Sequence, residues 1–197
     1  MKRLSVITMG LLVIGLTVSG CSQQMSGQAD AGWITLFDGS NLDNWNTIGN
    51  ANWRLVDGAV QADKGNGHLV SKNSYTDFQI RAEFWVDSDA NSGIFIRCTD
   101  PQKIGSATAY EVNIYDKRPD PTYGTGAIVN VAKASPMLKA GGQWNTLEIT
   151  AKGPQLSATL NGTPTADGQD SKYASGPISL QYGAGVVKFR KVQIKPL

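Results

Sequence analysis

One short segment of this 197-residue chain carries the side chains best suited to chemistry. Glu111, Asn113 and Tyr115 alternate with apolar residues at 110, 112 and 114, which predicts a strand with these three side chains on one face. A carboxylate can act as a base or as a metal ligand, and an amide and an aromatic ring beside it can bind a sugar. The alternative, a solvated face of a sheet, fits the same pattern equally well.

Two charged residues near this segment are candidates to assist such a carboxylate. Arg97 shares a phase of its predicted strand with Phe95, and its cation would stabilise negative charge on a substrate oxygen. A surface ion pair of little energetic value is an equally good interpretation of Arg97. Asp116 would orient Arg97 or, together with Glu111, hold a divalent metal ion, although a loop carboxylate without a role is the more common case. The chain lacks the His and Cys spacings of a zinc centre.

Four further side chains have two interpretations each. Trp85 and Tyr182 are candidates for stacking on sugar rings, although aromatic residues in strands usually pack against their neighbours. His68, the only histidine, is predicted to be a surface or internally hydrogen-bonded residue rather than a base. Cys98 is in phase with apolar residues at 94 and 96, which predicts a small buried hydrophobic residue rather than a reactive thiol.

Alternating hydrophobicity predicts that strands position these residues. In the segment 78–86 every even-numbered residue is apolar, so one face of this strand is expected to be buried. The dipeptides Asp57-Gly58 and Asn161-Gly162 are typical of two-residue hairpin turns. The apolar phase reverses near residues 190–191, which indicates a β-bulge. With about a dozen short strands and no sustained helical period, the chain is predicted to be an all-β antiparallel sandwich.

The composition limits the classes of function. Hydrophobic residues make up 41% of the chain and charged residues 17%, which favours one compact domain over disorder. The chain has 18 basic and 16 acidic residues, and two of the basic ones, Lys2 and Arg3, lie in a segment that is predicted to be removed. The remainder is therefore neutral, without the basic surface that binds nucleic acid.

The first 32 residues are typical of an exported, lipid-anchored protein. An apolar run at 4–18 is short for a membrane-spanning helix and predicts a signal peptide at 1–20. The next residues complete a pattern that resembles a bacterial lipobox, which implies a lipidated Cys21, whereas an ordinary secretory signal with an incidental cysteine is the alternative. Residues 21–32 would then tether a domain at 33–197 to the membrane. We expect a lipoprotein of the bacterial cell envelope, and Ser22 after the cysteine implies the outer membrane, facing either the periplasm or the surface.

A series of short motifs runs through the whole of residues 33–197 in a fixed order. They are WITLFDG at 33–39, LDNW at 42–45, NWR at 52–54, DGA at 57–59, YTDF at 75–78, ANSGIFIR at 90–97, YEVNIYD at 110–116, GQWNT at 142–146, LNG at 160–162, GPISLQ at 176–181 and FRKVQI at 189–194. Each motif is weakly specific alone, and the ordered set resembles the bacterial 3-keto-disaccharide hydrolase family, here in a lipoprotein form.

This resemblance implies a concanavalin-like jelly roll that acts on carbohydrate. Its members are similar to enzymes that cleave glycosides already oxidised to a ketone at carbon 3, by removal of the C2 proton, elimination and hydration. Glu111 would then be the base, and Arg97 would hold the developing enolate. Asn113, Tyr115, Asp116, Trp85 and Tyr182 would bind the substrate.

The chain departs from the family pattern at two positions. Asn113 stands where the family often has Gln, and the segment after Gln181 lacks a His that the family often has there. The missing His leaves open a lectin-like module that binds carbohydrate without cleaving it. A third interpretation is a structural envelope lipoprotein that uses the sandwich as a surface for a partner.

Overall fold

A computed structural model describes residues 31–197 and shows an all-β antiparallel sandwich without helices in that part of the chain. The predicted fold class is therefore confirmed. The predicted signal peptide, Cys21 and residues 21–30 of the predicted tether lie outside the described residues. Within residues 31–197 nothing helical is long and apolar enough to cross a bilayer.

Thirteen strands form the sandwich in this part of the chain. They are β1 (Ile34–Phe37), β2 (Trp45–Gly49), β3 (Arg54–Val56), β4 (Ala59–Ala62), β5 (Gly67–Tyr75), β6 (Phe78–Val86), β7 (Ser92–Ile96), β8 (Tyr110–Ile114), β9 (Trp144–Lys152), β10 (Gln155–Leu160), β11 (Thr163–Gln169), β12 (Gly176–Tyr182) and β13 (Val187–Pro196).

The strands form two sheets that enclose one main core. The larger sheet has eight strands in the order β11-β10-β9-β6-β13-β4-β3, with β1 also paired to β13. The smaller sheet has five strands in the order β2-β5-β12-β7-β8. Apolar side chains of the two inner faces fill the core, among them Phe84 and Phe189 from the larger sheet and Leu69 and Ile94 from the smaller one. Each sheet therefore has an outer face, turned away from the core, that can carry function.

Local sequence patterns correctly predicted several parts of this architecture. Strand β6 alternates buried and half-buried residues along its whole length, as its periodicity predicts. Both predicted hairpins are present, with Asp57-Gly58 joining β3 to β4 and Asn161-Gly162 joining β10 to β11, and all four residues have positive φ. The register between β13 and β6 shifts between Phe189 and Lys191, which confirms the predicted bulge.

Two loops cover the smaller sheet beyond its strands. One of them packs Ile104 and Ala109 on Phe95 and Cys98, and the resulting burial raises the pKa of the Cys98 thiol to about 12. Cys98 is therefore the inert, buried residue that the sequence predicts. The other loop bonds along the free edge of β8, where the amide of Val129 donates to the carbonyl of Glu111 at 2.9 Å. The edge strand that carries Glu111 is thus held on both sides.

Candidate active site on the outer face of the smaller sheet

The outer face of the five-stranded sheet brings together polar residues that are far apart in sequence. The core row Leu69, Leu180, Ile94 and Val112 points inward, so the residues next to these in each strand point outward. We call the outward set the Glu111 face, and its members are Asn46, Ile48, His68, Val70, Gly93, Phe95, Glu111, Asn113, Ser179 and Gln181.

Glu111 pairs with Phe95 of the neighbouring strand β7, and its side chain lies against Gly93 of the same strand. A β-carbon built on Gly93 would lie 3.3 Å from Glu111 Oε1 and 3.4 Å from its Cγ, so the absence of a side chain at Gly93 makes room for the carboxyl group. Burial raises the pKa of this carboxyl to about 7, and burial is the sole cause of the shift. A carboxyl group with that pKa is half-ionised at neutral pH and can accept or return a proton there.

His68 lies on the same face, in β5. Its Nδ1 is 2.9 Å from Ser179 Oγ, and its ring meets the ring of Phe95 edge-on at a centroid distance of 5.4 Å. Burial lowers the pKa of His68 to about 4, so the imidazole is neutral at physiological pH. A neutral imidazole fixed through one nitrogen keeps the other available as a hydrogen-bond donor or acceptor.

Gln181 lies between His68 and Gly93 on this face. It pairs directly with His68 across β12 and β5, and the register of β12 with β7 continues from Leu180–Ile94 towards Gly93. Its side-chain Oε1 is buried and has no hydrogen-bond partner among the described residues. A buried acceptor without a donor is costly, so this oxygen is available to accept a hydrogen bond from a ligand hydroxyl group.

Asn113 lies on the predicted face of β8 with Glu111, whereas Tyr115 comes directly after the strand ends at Ile114. The Asn113 amide is used internally, since Nδ2 donates to the carbonyl of Tyr123 at 2.6 Å and Oδ1 accepts from the amide of Ile114 at 3.0 Å. The guanidinium of Arg118 lies over the rings of Tyr115 and Tyr123, at 5.6 and 5.2 Å from their centroids. Asn113 therefore holds the adjoining loop, and the ring of Tyr115 packs against Arg118.

The structure gives Arg97 a structural role in place of the predicted contact with substrate. Its side chain is only 2% exposed, and four of its N–H groups are already bonded. They donate to the carbonyls of Thr76, Gly153 and Tyr173 and to the carboxylate of Asp77, at 2.8 to 3.2 Å. The backbone of Arg97 has a φ of 53°, which breaks the strand alternation on which the prediction depended.

Asp116 also has a structural role, because its carboxylate is bonded within the fold, and it does not form a metal site with Glu111. Its Oδ1 accepts from the hydroxyl of Thr125 at 2.6 Å, and its Oδ2 accepts from the amides of Ala140 and Gly141, each at 2.8 Å. The carboxylate therefore fastens two loops together. No group of three or more His, Cys, Asp or Glu residues able to hold a metal ion occurs between residues 31 and 197.

The two aromatic residues predicted to stack on sugar lie elsewhere. Tyr182 is 3% exposed and belongs to the main core, where its ring meets Trp53 edge-on and its hydroxyl donates to the carbonyl of Gly185. Trp85 lies on the outer face of the larger sheet, opposite Lys188, and so on the far side of the sandwich from Glu111. Neither aromatic ring lies on the Glu111 face.

His68 is internally hydrogen-bonded, as the sequence predicts, but its position on the Glu111 face and that of Gln181 were not predicted. The sequence shows no local sign of their partnership, because they are more than a hundred residues apart and meet through the pairing of β5 with β12. The family motif that contains Gln181 marked that strand, and only the strand order adds His68 to it.

Comparison with known proteins relates the chain to one family. The sequence model of a family described as a 3-keto-alpha-glucoside-1,2-lyase-like domain matches residues 32–195. A 3-keto-disaccharide hydrolase of Bacteroides thetaiotaomicron is 28% identical over 160 residues, and the match covers 65% of this chain and 55% of that protein. The chain thus spans about half the length of the curated relative that it matches.

Two solved structures share the fold. A crystal structure of a Parabacteroides distasonis protein, provisionally named a glycosyl hydrolase, has a TM-score of 0.70 and 26% identity and covers 84% of this chain and 99% of its own. The carbohydrate binding module CBM66 from Bacillus subtilis has a TM-score of 0.60 and 17% identity and covers 83% and 95% of the two chains. At that lower identity the likeness is one of fold alone.

Proposed function

The chain belongs to the 3-keto-alpha-glucoside-1,2-lyase-like family, and we propose that it cleaves the glycosidic bond of a sugar carrying a ketone at carbon 3. The observation that carries the proposal is the Glu111 carboxyl group, buried across Gly93 with a pKa of about 7. The same reaction class follows from the name of the related Bacteroides hydrolase. A base of this strength suits the removal of a proton next to a ketone.

The proposed reaction conserves the oxidation state of the sugar. Glu111 takes the proton from C2, and the electron pair moves into an enolate at C2, C3 and the ketone oxygen. The enolate collapses to restore the ketone, a double bond forms between C1 and C2, and the C1–oxygen bond breaks. The departing oxygen takes a proton from Glu111, and water then adds its hydroxyl to C1 and its hydrogen to C2. The chemistry requires a separate oxidoreductase to supply the ketone.

Because Arg97 is bonded elsewhere, uncharged hydrogen-bond donors of the Glu111 face would stabilise the enolate. His68 is neutral at working pH, and a neutral imidazole can donate a hydrogen bond to a developing oxyanion. The unpaired Oε1 of Gln181 would accept a hydrogen bond from a sugar hydroxyl group and orient the ring. The family often has a His just after the position of Gln181, and this chain brings an imidazole to the same neighbourhood from the adjacent strand.

The decisive test is turnover of a 3-keto-glucoside with a chromogenic aglycone by the purified protein. We expect the wild type to release the aglycone at a rate that rises with pH through about 7, because the base must be ionised. Glu111→Gln conserves the side-chain volume and removes the base, so turnover should fall by about 10²- to 10⁴-fold. The matched control is Glu83→Gln, whose carboxylate pairs with Arg190 at 2.6 Å on the opposite sheet, and it should turn over like the wild type.

Each outcome decides between the candidate functions. Equal turnover by the wild type and Glu111→Gln across this pH range would remove Glu111 as the base. Saturable binding of the same keto-sugar without release of the aglycone would favour a carbohydrate-binding module, the function that the name of the Bacillus relative gives to that protein. Neither binding nor turnover would favour a structural envelope protein.

A further inference from the structure

The outer face of the larger sheet is rich in tryptophan, although it lies on the opposite side of the sandwich from Glu111. Trp33, Trp85 and Trp144 each carry a cation over the ring, from Arg81 at 4.7 Å, Lys188 at 4.9 Å and Arg190 at 4.3 Å, respectively. Such cation–π pairs occur about once per 70–80 residues in proteins, so three of them on one face of a small domain are more than expected.

One part of this face is a hollow of about 370 Å³, bounded by Trp33 and the outer side chains of β6, β9 and β10. We call it the Trp33 hollow. Its polar lining residues are Gln79, Arg81, Glu148, Thr150, Ser157 and Thr159. Pockets of about 300–1,000 Å³ are the usual size for small-ligand sites.

The chemistry of the lining is that of a site for hydroxyl groups. Arg81 Nε donates to Glu148 Oε1 at 3.1 Å, so the two charges offset each other and the lining carries no net charge. Guanidinium and amide groups supply donors, the carboxylate supplies acceptors, and the hydroxyls of Thr150 and Thr159 supply both. A sugar needs this mixture, because each of its hydroxyl groups both donates and accepts, and its apolar ring face packs on an aromatic ring such as Trp33.

From these observations we propose that the Trp33 hollow is a second, non-catalytic binding site for a neutral oligosaccharide. The balanced charge of the lining argues against a phosphate or carboxylate ligand, which would leave Glu148 facing a like charge. The lining contains no His, Cys or Lys, and its one carboxylate is paired with Arg81. The site belongs to the sheet opposite Glu111, so it is independent of the proposed reaction and would persist in a protein without that activity.

The test is retardation of the purified full-length chain, carrying Glu111→Gln, in native gels that contain a soluble polysaccharide. The neutral probes are dextran, soluble starch, xyloglucan and galactomannan, and polygalacturonate is the anionic probe. We expect at least one neutral probe to retard the protein, and Trp33→Ala and Glu148→Gln to weaken that binding at least tenfold. Trp144→Ala, on the same face but outside the lining, is the matched control and should bind like the parent.

Thermal unfolding of each variant establishes that it is folded. Glu148→Gln conserves volume at a half-exposed position, so it remains informative if Trp33→Ala does not fold. Three results would overturn the proposal: no retardation by any neutral probe, retardation by polygalacturonate alone, or retardation that Glu148→Gln leaves unchanged. Loss of keto-sugar turnover alone leaves this site unaffected, and loss of retardation leaves the proposed reaction unaffected.

Discussion

Burial of the Glu111 carboxyl group destabilises its charged form, which is the form that a base requires. Because burial raises the pKa of Glu111 from 4.5 to about 7, the folded protein holds this proton more tightly than the unfolded chain does. The stabilisation is complete below pH 4.5 and is lost as the pH rises through about 7. Above that pH the charged carboxylate opposes folding, as expected of a group retained for function.

Glu111→Gln should therefore be more stable than the wild type in alkaline solution and no more stable in acid. We expect the free energy of unfolding of the variant to exceed that of the wild type by about 2–3 kcal/mol at pH 8.5, and the difference to be small at pH 5. Denaturant unfolding of both proteins at the two pH values measures this, and titration of His68 cancels in the difference. A difference that does not change with pH would show that Glu111 is solvated like a surface carboxylate.

How far the sequence predicts a single residue depends on whether its role is local. Alternation placed Glu111 and Asn113 on the correct face, because period two is a property of one strand. Alternation did not predict the direction of the Tyr182 side chain, because β12 is buried on both sides and its pattern gives no sign of which side faces the core. Alternation also gave the wrong direction for the Arg97 side chain, because the positive φ of this residue ends the alternation. His68 joins the Glu111 face only through a long-range pairing.

At the scale of elements, the buried guanidinium of Arg97 fastens one end of the sandwich. It bonds the turn between β5 and β6 at Thr76 and Asp77, the turn between β9 and β10 at Gly153, and the segment before β12 at Tyr173. These segments belong to both sheets. The guanidinium is stabilising because its removal would leave the carbonyl of the buried Tyr173 unpaired and would separate the other segments that it joins.

We expect Arg97→Met to lower the free energy of unfolding by about 3 kcal/mol, because it removes the hydrogen-bond donor of several acceptors at once. The matched control is Arg54→Met, because Arg54 pairs with Asp63 at the surface with 41% of its side chain exposed. Loss of that exposed pair should cost less than about 1 kcal/mol. Urea unfolding followed by tryptophan fluorescence compares the two variants. Equal losses would mean that Arg97 contributes no more than an ordinary surface ion pair.

The elements themselves were predictable where their determinants are adjacent in the chain. Hairpins at Asp57-Gly58 and Asn161-Gly162 need positive φ at both turn residues, and Asn, Asp and Gly meet that need best. The bulge before Lys191 follows from the reversal of the apolar phase. The order of strands within each sheet was not predictable in this way, because every neighbour across β12 is distant in sequence. The candidate site depends on that order.

At the scale of the whole molecule, the sandwich presents two outer faces with different chemistry. One holds a buried carboxyl group beside neutral hydrogen-bonding groups, and the other holds tryptophan rings over charged pairs. The core between them separates the two faces, so we expect substitutions on one face to add independently to those on the other. A second binding surface on the same domain would raise the local concentration of a glycan around the catalytic face.

We also propose that the whole molecule is tied to a membrane through Cys21, a residue that lies outside the described part of the chain. Two or more acyl chains anchor a protein stably, whereas one chain gives only marginal binding. Expressed in a Gram-negative host, the wild type should therefore partition with membranes and incorporate labelled palmitate. Cys21→Ser should be unlabelled and recovered in the soluble fraction, while Cys98→Ser, which changes the buried thiol, should behave like the wild type. Membrane recovery of Cys21→Ser at the wild-type level would show that something other than a lipid on this cysteine holds the protein there.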